Sequence, residues 1–157
     1  MSVQYVKEFL KKWNLDNKVL EFDVSSATVQ MAAAALKVEP GRIAKTITFK
    51  GNPGCIVIVA AGDSKIDNSK FKAEFGCRPK MLTPDEAYDF TGYKVGGICP
   101  FGITNKDTKI YIDNSLKRFN TVYPACGSSN SAIELSCDKL FECSAAEKWI
   151  DVCKLSV

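Results

Sequence analysis

Residues 42–50 read RIAKTITFK, residues 52–54 read NPG and residues 55–61 read CIVIVAA. Apolar and polar side chains alternate through the first segment, the period of a strand with two unlike faces. The second segment is apolar at every position and rich in β-branched residues, as a central strand covered on both sides requires. A Pro-Gly turn separates them. The pair therefore reads as an antiparallel hairpin at the middle of a sheet.

Outward from the hairpin the signals alternate between helix and strand. Val3, Val6, Leu10 and Trp13 fall at helical spacing and predict an amphipathic first helix. KVLEFDV (18–24) predicts a short strand, and SSATVQMAAAALKV (25–38) a largely buried helix ended by Pro40-Gly41. NSKFKAEFG (68–76) predicts a helix with Asn68 as cap and Gly76 as stop. TPDEAYDFTG (83–92) carries a full set of helix signals: Thr83 as N-cap, Pro84 at the first position, Glu86 closing a capping box and Gly92 as stop. Further strands are expected at 108–113, 121–125, 131–135 and 147–152, a helical turn at 115–119 and a short helix at 137–142. No linker, repeat or low-complexity tract interrupts the pattern. The expected fold is α+β: a single compact domain over residues 1–157, with a mixed, barrel-like sheet surrounded by short helices.

Composition removes several classes of chemistry. The 157 residues include no histidine, which excludes Ser-His-Asp and Cys-His catalysis and imidazole metal sites. Any reaction must run on lysine, carboxylates, hydroxyls, backbone dipoles or the substrate. The seven cysteines have no Cys-x-x-Cys spacing, so no zinc site and no disulfide framework is expected; they read as small buried hydrophobes of a reducing compartment. No metal or cofactor is expected. The net charge of +3 permits a polyanionic partner without demanding one. The longest apolar run, Cys55–Ala61, has seven residues against the roughly 20 of a spanning helix. No membrane partner is expected, and the N-terminus has no signal-peptide pattern, so a cytoplasmic location is expected.

Three features point to a pocket. In RIAKTITFK, Lys45 shares a face with Ile43, Ile47 and Phe49, so it points inward. An inward lysine needs a carboxylate, a cavity or an anionic ligand, unless it snorkels out past Ile43; periodicity leaves both readings open. VGGICPFG (95–102) places Gly96, Gly97, Pro100 and Gly102 within a few residues, specifying one backbone path. A second glycine-containing polar loop follows at Gly127, Ser128, Ser129 and Asn130.

RIAKTITF, IVIVAAGD, VGGICPFG and YPACGSSNSAIELS, in this order, resemble the YbaK/EbsC family over about Lys18–Val152. That family is related to the editing domain inserted in bacterial prolyl-tRNA synthetases. The resemblance implies a compact α+β fold with a mixed barrel core and a free-standing hydrolase that removes wrongly attached amino acids from tRNA. It implies the pocket lysine at Lys45 and the Gly-x-x-Pro loop at Gly97, Ile98, Cys99 and Pro100. It further implies a substrate loop at Gly127, Ser128, Ser129 and Asn130. Some relatives carry a histidine on that second loop. This chain has none, so that role is absent or passes to Asn130.

These residues would suffice for ester hydrolysis. An aminoacyl ester needs a positioned water, a stabilised oxyanion and a site for the terminal adenosine. Amides of the loop at 96–102 would supply oxyanion donors, Lys45 a fixed positive charge, and the ribose hydroxyl beside the ester the proton route. Cys99 reads as an apolar loop residue rather than a nucleophile. The glycine loops and small residues suggest alanine, serine, threonine or cysteine as the amino acid removed. Lys65, Lys70, Lys72, Arg78 and Lys80 read as a solvated face, with weak contact to the acceptor end of tRNA as their functional reading. An aminoacyl-tRNA synthetase is a further possible partner. The competing readings are a non-catalytic tRNA- or synthetase-binding module of the same fold, and a thiol redox protein, against which the absent Cys-x-x-Cys argues.

Overall fold

The computed structural model describes residues 1–156. Its strands, in chain order, are β1 (Leu20–Glu21), β2 (Ile43–Lys50), β3 (Cys55–Ala61), β4 (Ser64–Ile66) and β5 (Thr108–Asp113), then β6 (Thr121–Pro124), β7 (Ser131–Ala132), β8 (Leu135–Ser136), β9 (Trp149–Ile150) and β10 (Cys153–Leu155). The α-helices are α1 (Val3–Leu10), α2 (Val29–Leu36), α3 (Asn68–Phe75), α4 (Pro84–Thr91) and α5 (Cys137–Ser144). The hairpin is central, as its sequence requires. β2 and β3 pair antiparallel without a break from Ala44↔Ala61 to Lys50↔Cys55. They sit in a six-stranded sheet of order β8-β6-β2-β3-β5-β9. This mixed sheet curls as a half-barrel, and the two-stranded pairs β1-β7 and β10-β4 flank it.

Every residue of β3 is buried. One face, Val57, Val59 and Ala61, joins Ala44, Ile110 and Ile112 in the larger core, capped by Val6 and Leu10 of α1 and by Tyr93 and Phe101. The other face, Ile56, Ile58 and Ala60, packs with Phe49, Phe71 of α3, Ile150 and Val152. A fully buried valine or isoleucine contributes about 1.5–3 kcal/mol of transfer free energy. β3 therefore anchors two cores at once, and β2 is held beside it from Ala44 to Lys50.

The structure corrects several expectations. The face shared by Lys45, Ile47 and Phe49 covers the smaller core, whereas the larger core takes Ala44 from the opposite face. The alternation of β2 was legible, but both faces are covered, so hydrophobicity alone did not rank them. α2 is capped by Thr28 and stops at left-handed Lys37 (φ 58°), before Pro40. Only Ala32 and Ala33 of that helix are buried, because its remaining faces border solvent and a cavity. Asp67, not Asn68, caps α3, its carboxylate accepting from the amides of Ser69 and Lys70. The expected strand 131–135 divides into β7, which pairs with β1, and β8, which pairs with β6. The expected strands at 18–24 and 147–152 shorten to β1 and β9, and β4 and β10 were too short and polar to read. The capping box and Gly92 stop of α4 form as expected.

One buried carboxylate ties the C-terminal segment to the sheet. Asp113, 1% exposed, accepts from Ser115 N through Oδ2 and from Val152 N through Oδ1, both at 2.8 Å. Asp113→Ala would leave both donors unpaired and is expected to cost about 3 kcal/mol. At this chain length that lowers Tm by roughly 6–12 °C. Calorimetry checks it; an unchanged Tm would contradict the role.

Candidate active site

The sheet has a gap beside β2. β6 pairs with β2 only at Ile43 and Ala44. Further along the same edge, Leu82 N donates to the Thr48 carbonyl at 3.2 Å and Lys50 N to the Lys80 carbonyl at 2.8 Å. Between Ala44 and Thr48 this edge has no neighbouring strand among the described residues. A cavity of about 500 Å³ occupies the gap and touches all of residues 44–48. Successive strand side chains point to opposite faces, so a cavity that meets five in a row runs along the strand edge. Its walls are Thr28, Val29 and Ala32 from the start of α2, Val95, Gly96 and Ile98, Leu82 and Ala87, and Tyr123, Ala125, Ser131 and Ala132. The lining contains no Asp or Glu, and Lys45 is its one charged residue.

Lys45 is partly buried, and its Nζ donates to the Ser64 carbonyl. Burial lowers its pKa below the usual lysine value of 10.5, opposed by Cys153 and the Asp63 carboxylate. Asp63 is itself held by Arg118, with Nη1–Oδ2 at 3.0 Å and Nη2–Oδ1 at 2.5 Å. That pairing keeps its carboxyl below the usual range. The inward lysine is thus satisfied by a carbonyl of the 63–64 segment, which lies outside the cavity's lining, while the residue itself borders the cavity. Thr46 points to the opposite face, and its Oγ1 is buried with no hydrogen-bond partner. A buried hydroxyl without a partner is rare, and valine would fill the same volume at no such cost.

The glycine loop owes its path to contact with the second loop. Gly96 has φ +95°, and a Cβ on Gly97 would lie 2.9 Å from both N and Cα of Ser128. The two loops therefore touch backbone to backbone. Gly97 N donates to the Lys94 carbonyl at 3.0 Å, so its amide is spent inside the turn. Cys99 and Phe101 are fully buried, and burial pushes the Cys99 thiol up to about 12. Tyr93 and Tyr5 donate to the carbonyls of Phe101 and Gly102 at 2.5 and 2.6 Å. In the second loop, Asn130 Nδ2 donates to the Phe22 carbonyl at 2.9 Å, and Ser26 N donates to the Ser129 carbonyl at 2.6 Å. Ser128 Oγ lies 2.7 Å from Ser131 Oγ.

Of the residues expected at the site, Lys45, Gly96 and Ile98 line the cavity. Gly97, Cys99, Pro100, Gly127, Ser128, Ser129 and Asn130 lie outside its lining; of these, Gly97 and Ser128 bring the two loops together, and Ser129 and Asn130 hold the 22–26 segment. Thr46, Ala32, Leu82, Ala87, Ser131 and Ala132 were not expected there. Thr46 had at most a weak signal, a hydroxyl beside the inward Lys45 on a strand at the middle of the sheet. The rest depend on tertiary placement.

A family model described as the aminoacyl-tRNA editing domain matches residues 24–143, which contain the gap and both loops. The chain belongs to the aminoacyl-tRNA editing domain family. It is 51% identical to the Bacillus subtilis protein YwhH, named as uncharacterized, over 98% of each chain. It is 28% identical to EbsC of Enterococcus faecalis, provisionally named a Cys-tRNA(Pro)/Cys-tRNA(Cys) deacylase, covering 83% of this chain and 74% of that protein. A crystal structure described provisionally as a trans-editing enzyme for prolyl tRNA synthetase superposes with TM-score 0.86 at 26% identity, covering 97% of this chain and 96% of that one. Among the described residues, no helix is long and apolar enough to cross a membrane.

Gly97→Ala tests the loop contact. The methyl group must push the Ser128 backbone away, so a loss of about 1–3 kcal/mol is expected. Urea unfolding should show a lower midpoint at unchanged slope; an unchanged midpoint would contradict the backbone contact.

Proposed function

We propose that this editing domain hydrolyses the ester of mischarged aminoacyl-tRNA carrying a small amino acid, of the alanine, serine, threonine or cysteine class. The observation that carries the reading is the cavity itself. It is walled by small and apolar side chains, opens on an unpaired strand edge, and has a single cation, Lys45, at its border. The name of EbsC and the description of the superposed crystal structure support deacylation in trans.

The chemistry follows from what the cavity contains. Water attacks the ester carbonyl carbon, the bond to the ribose oxygen breaks, and that oxygen takes up a proton as free amino acid and tRNA separate. With no histidine and with Cys99 sealed and protonated, the protein supplies neither nucleophile nor imidazole base. The ribose hydroxyl beside the ester carries the proton. Lys45 supplies a fixed charge to the oxyanion or to the ribose-phosphate end. Gly96 and Ile98 line the cavity, and their amides are further candidate donors to the oxyanion. Lys65, Lys72, Arg78 and Lys80 are exposed and available to the tRNA backbone, and a synthetase is a candidate partner in delivering it.

Deacylation of tRNAs charged with Ala, Ser, Thr, Cys and Pro tests this. The wild type is expected to hydrolyse a small-side-chain member, and Lys45→Ala to lose roughly 100-fold or more in rate. No hydrolysis of any member, with tRNA still bound, would contradict the proposal and favour a binding module. Cys99→Ala is expected to retain hydrolysis in the same assay; complete loss would restore a thiol mechanism.

A further inference from the structure

We infer that the esterified amino acid pairs with the open edge of β2 as one residue of a strand. Its α-amino group donates to the Thr46 carbonyl and its ester carbonyl accepts from Thr46 N–H. The inference rests on the deacylase reading above and names the group that reads the substrate's amino end.

The direction of the Thr46 backbone follows from its neighbours. Along a strand, the N–H and C=O of alternate residues point to the same edge. The Thr48 carbonyl accepts from Leu82 N and Lys50 N donates to the Lys80 carbonyl, both on the edge away from β3. Ala44 faces β6 on that edge. The β2–β3 register is continuous from Ala44 to Lys50, so no bulge changes the alternation. Thr46, two residues from each of Ala44 and Thr48, therefore directs N–H and C=O into the gap, where the cavity lies.

A backbone donor and acceptor facing a cavity are groups that proteins pair almost without exception. In a hydrogen-bonded strand pair, two facing residues exchange both bonds. An aminoacyl ester carries the complementary set on one residue: an amino group and a carbonyl oxygen. The cavity lining has no acidic side chain to hold the amino group, and Lys45, its one charged residue, is itself a cation. The Thr46 carbonyl is thus the acceptor that the strand edge supplies. The same pairing sets Thr46 N–H on the oxygen that becomes negative during attack. It makes Thr46, not only the glycine loop, an oxyanion donor.

The test takes the ester hydrolysed fastest in the panel and compares it with two analogues on the same tRNA. One lacks the α-amino group (propionyl for alanyl), and the other is N-acetylated. Each rate is divided by its own spontaneous hydrolysis. The enhancement is expected to fall about tenfold or more for the des-amino ester, the loss of one hydrogen bond of about 1.5 kcal/mol, and to fall less for the N-acetyl ester, whose amide N–H still donates to the Thr46 carbonyl. Equal enhancement for parent and des-amino esters would overturn the amino-group pairing and leave the deacylase reading standing. Absence of enhancement for every parent ester would overturn both. Replacing residue 46 by the α-hydroxy acid of threonine deletes its N–H and keeps its side chain. A kcat about 100-fold lower with an unchanged circular dichroism spectrum is expected, and an unchanged kcat would overturn the oxyanion half.

Discussion

The burial of β3 is the constraint on which the rest depends. A strand with both faces sealed can be displaced only by breaking two cores. Because β2 is paired to it without a break from Ala44 to Lys50, the open edge of β2 is fixed as rigidly as the core. A binding site built on that edge inherits the precision of the sheet rather than the tolerance of a loop. The gap arises because β6 leaves β2 after Ala44 and the 80–82 segment joins only from Thr48 onward. The cavity is one missing stretch of strand.

The two glycine loops serve this arrangement indirectly. Gly97 lets one loop lie against the Ser128 backbone, and Asn130 and Ser129 hold the 22–26 segment that leads into α2. Through these contacts the wall at Gly96 and Ile98 and the wall at Thr28–Ala32 are braced against each other. The residues that stand out in the sequence are thus largely those that keep the cavity in shape, while the cavity lining is mostly alanine, isoleucine and other apolar side chains beside bare strand backbone.

That division explains what was legible. The hairpin, the central strand, the capped helix at 84–91 and the position of Lys45 all follow from local signals: alternation, β-branching and capping chemistry. The cavity wall does not. Ala32, Ala87 and Ala132 carry no chemistry of their own and come together only in three dimensions. Backbone groups left unpaired by a departing strand leave no residue signature, because every residue has them. The split of 131–135 between two pairings was equally hidden, since each half pairs with a partner far away in sequence. In the proposed reading, a chain without histidine leaves the chemistry to backbone dipoles, one lysine and the substrate's own hydroxyl.

The most direct test is an NMR titration of the ¹⁵N-labelled protein with a non-hydrolysable 3′-aminoacylamido-adenosine. If the open edge of β2 is the substrate site, the amide resonances of Thr46, Gly96 and Ile98 shift together and saturably. Shifts confined to the cleft at Arg42, Arg118 and Thr121, with Thr46 unmoved, would contradict the account.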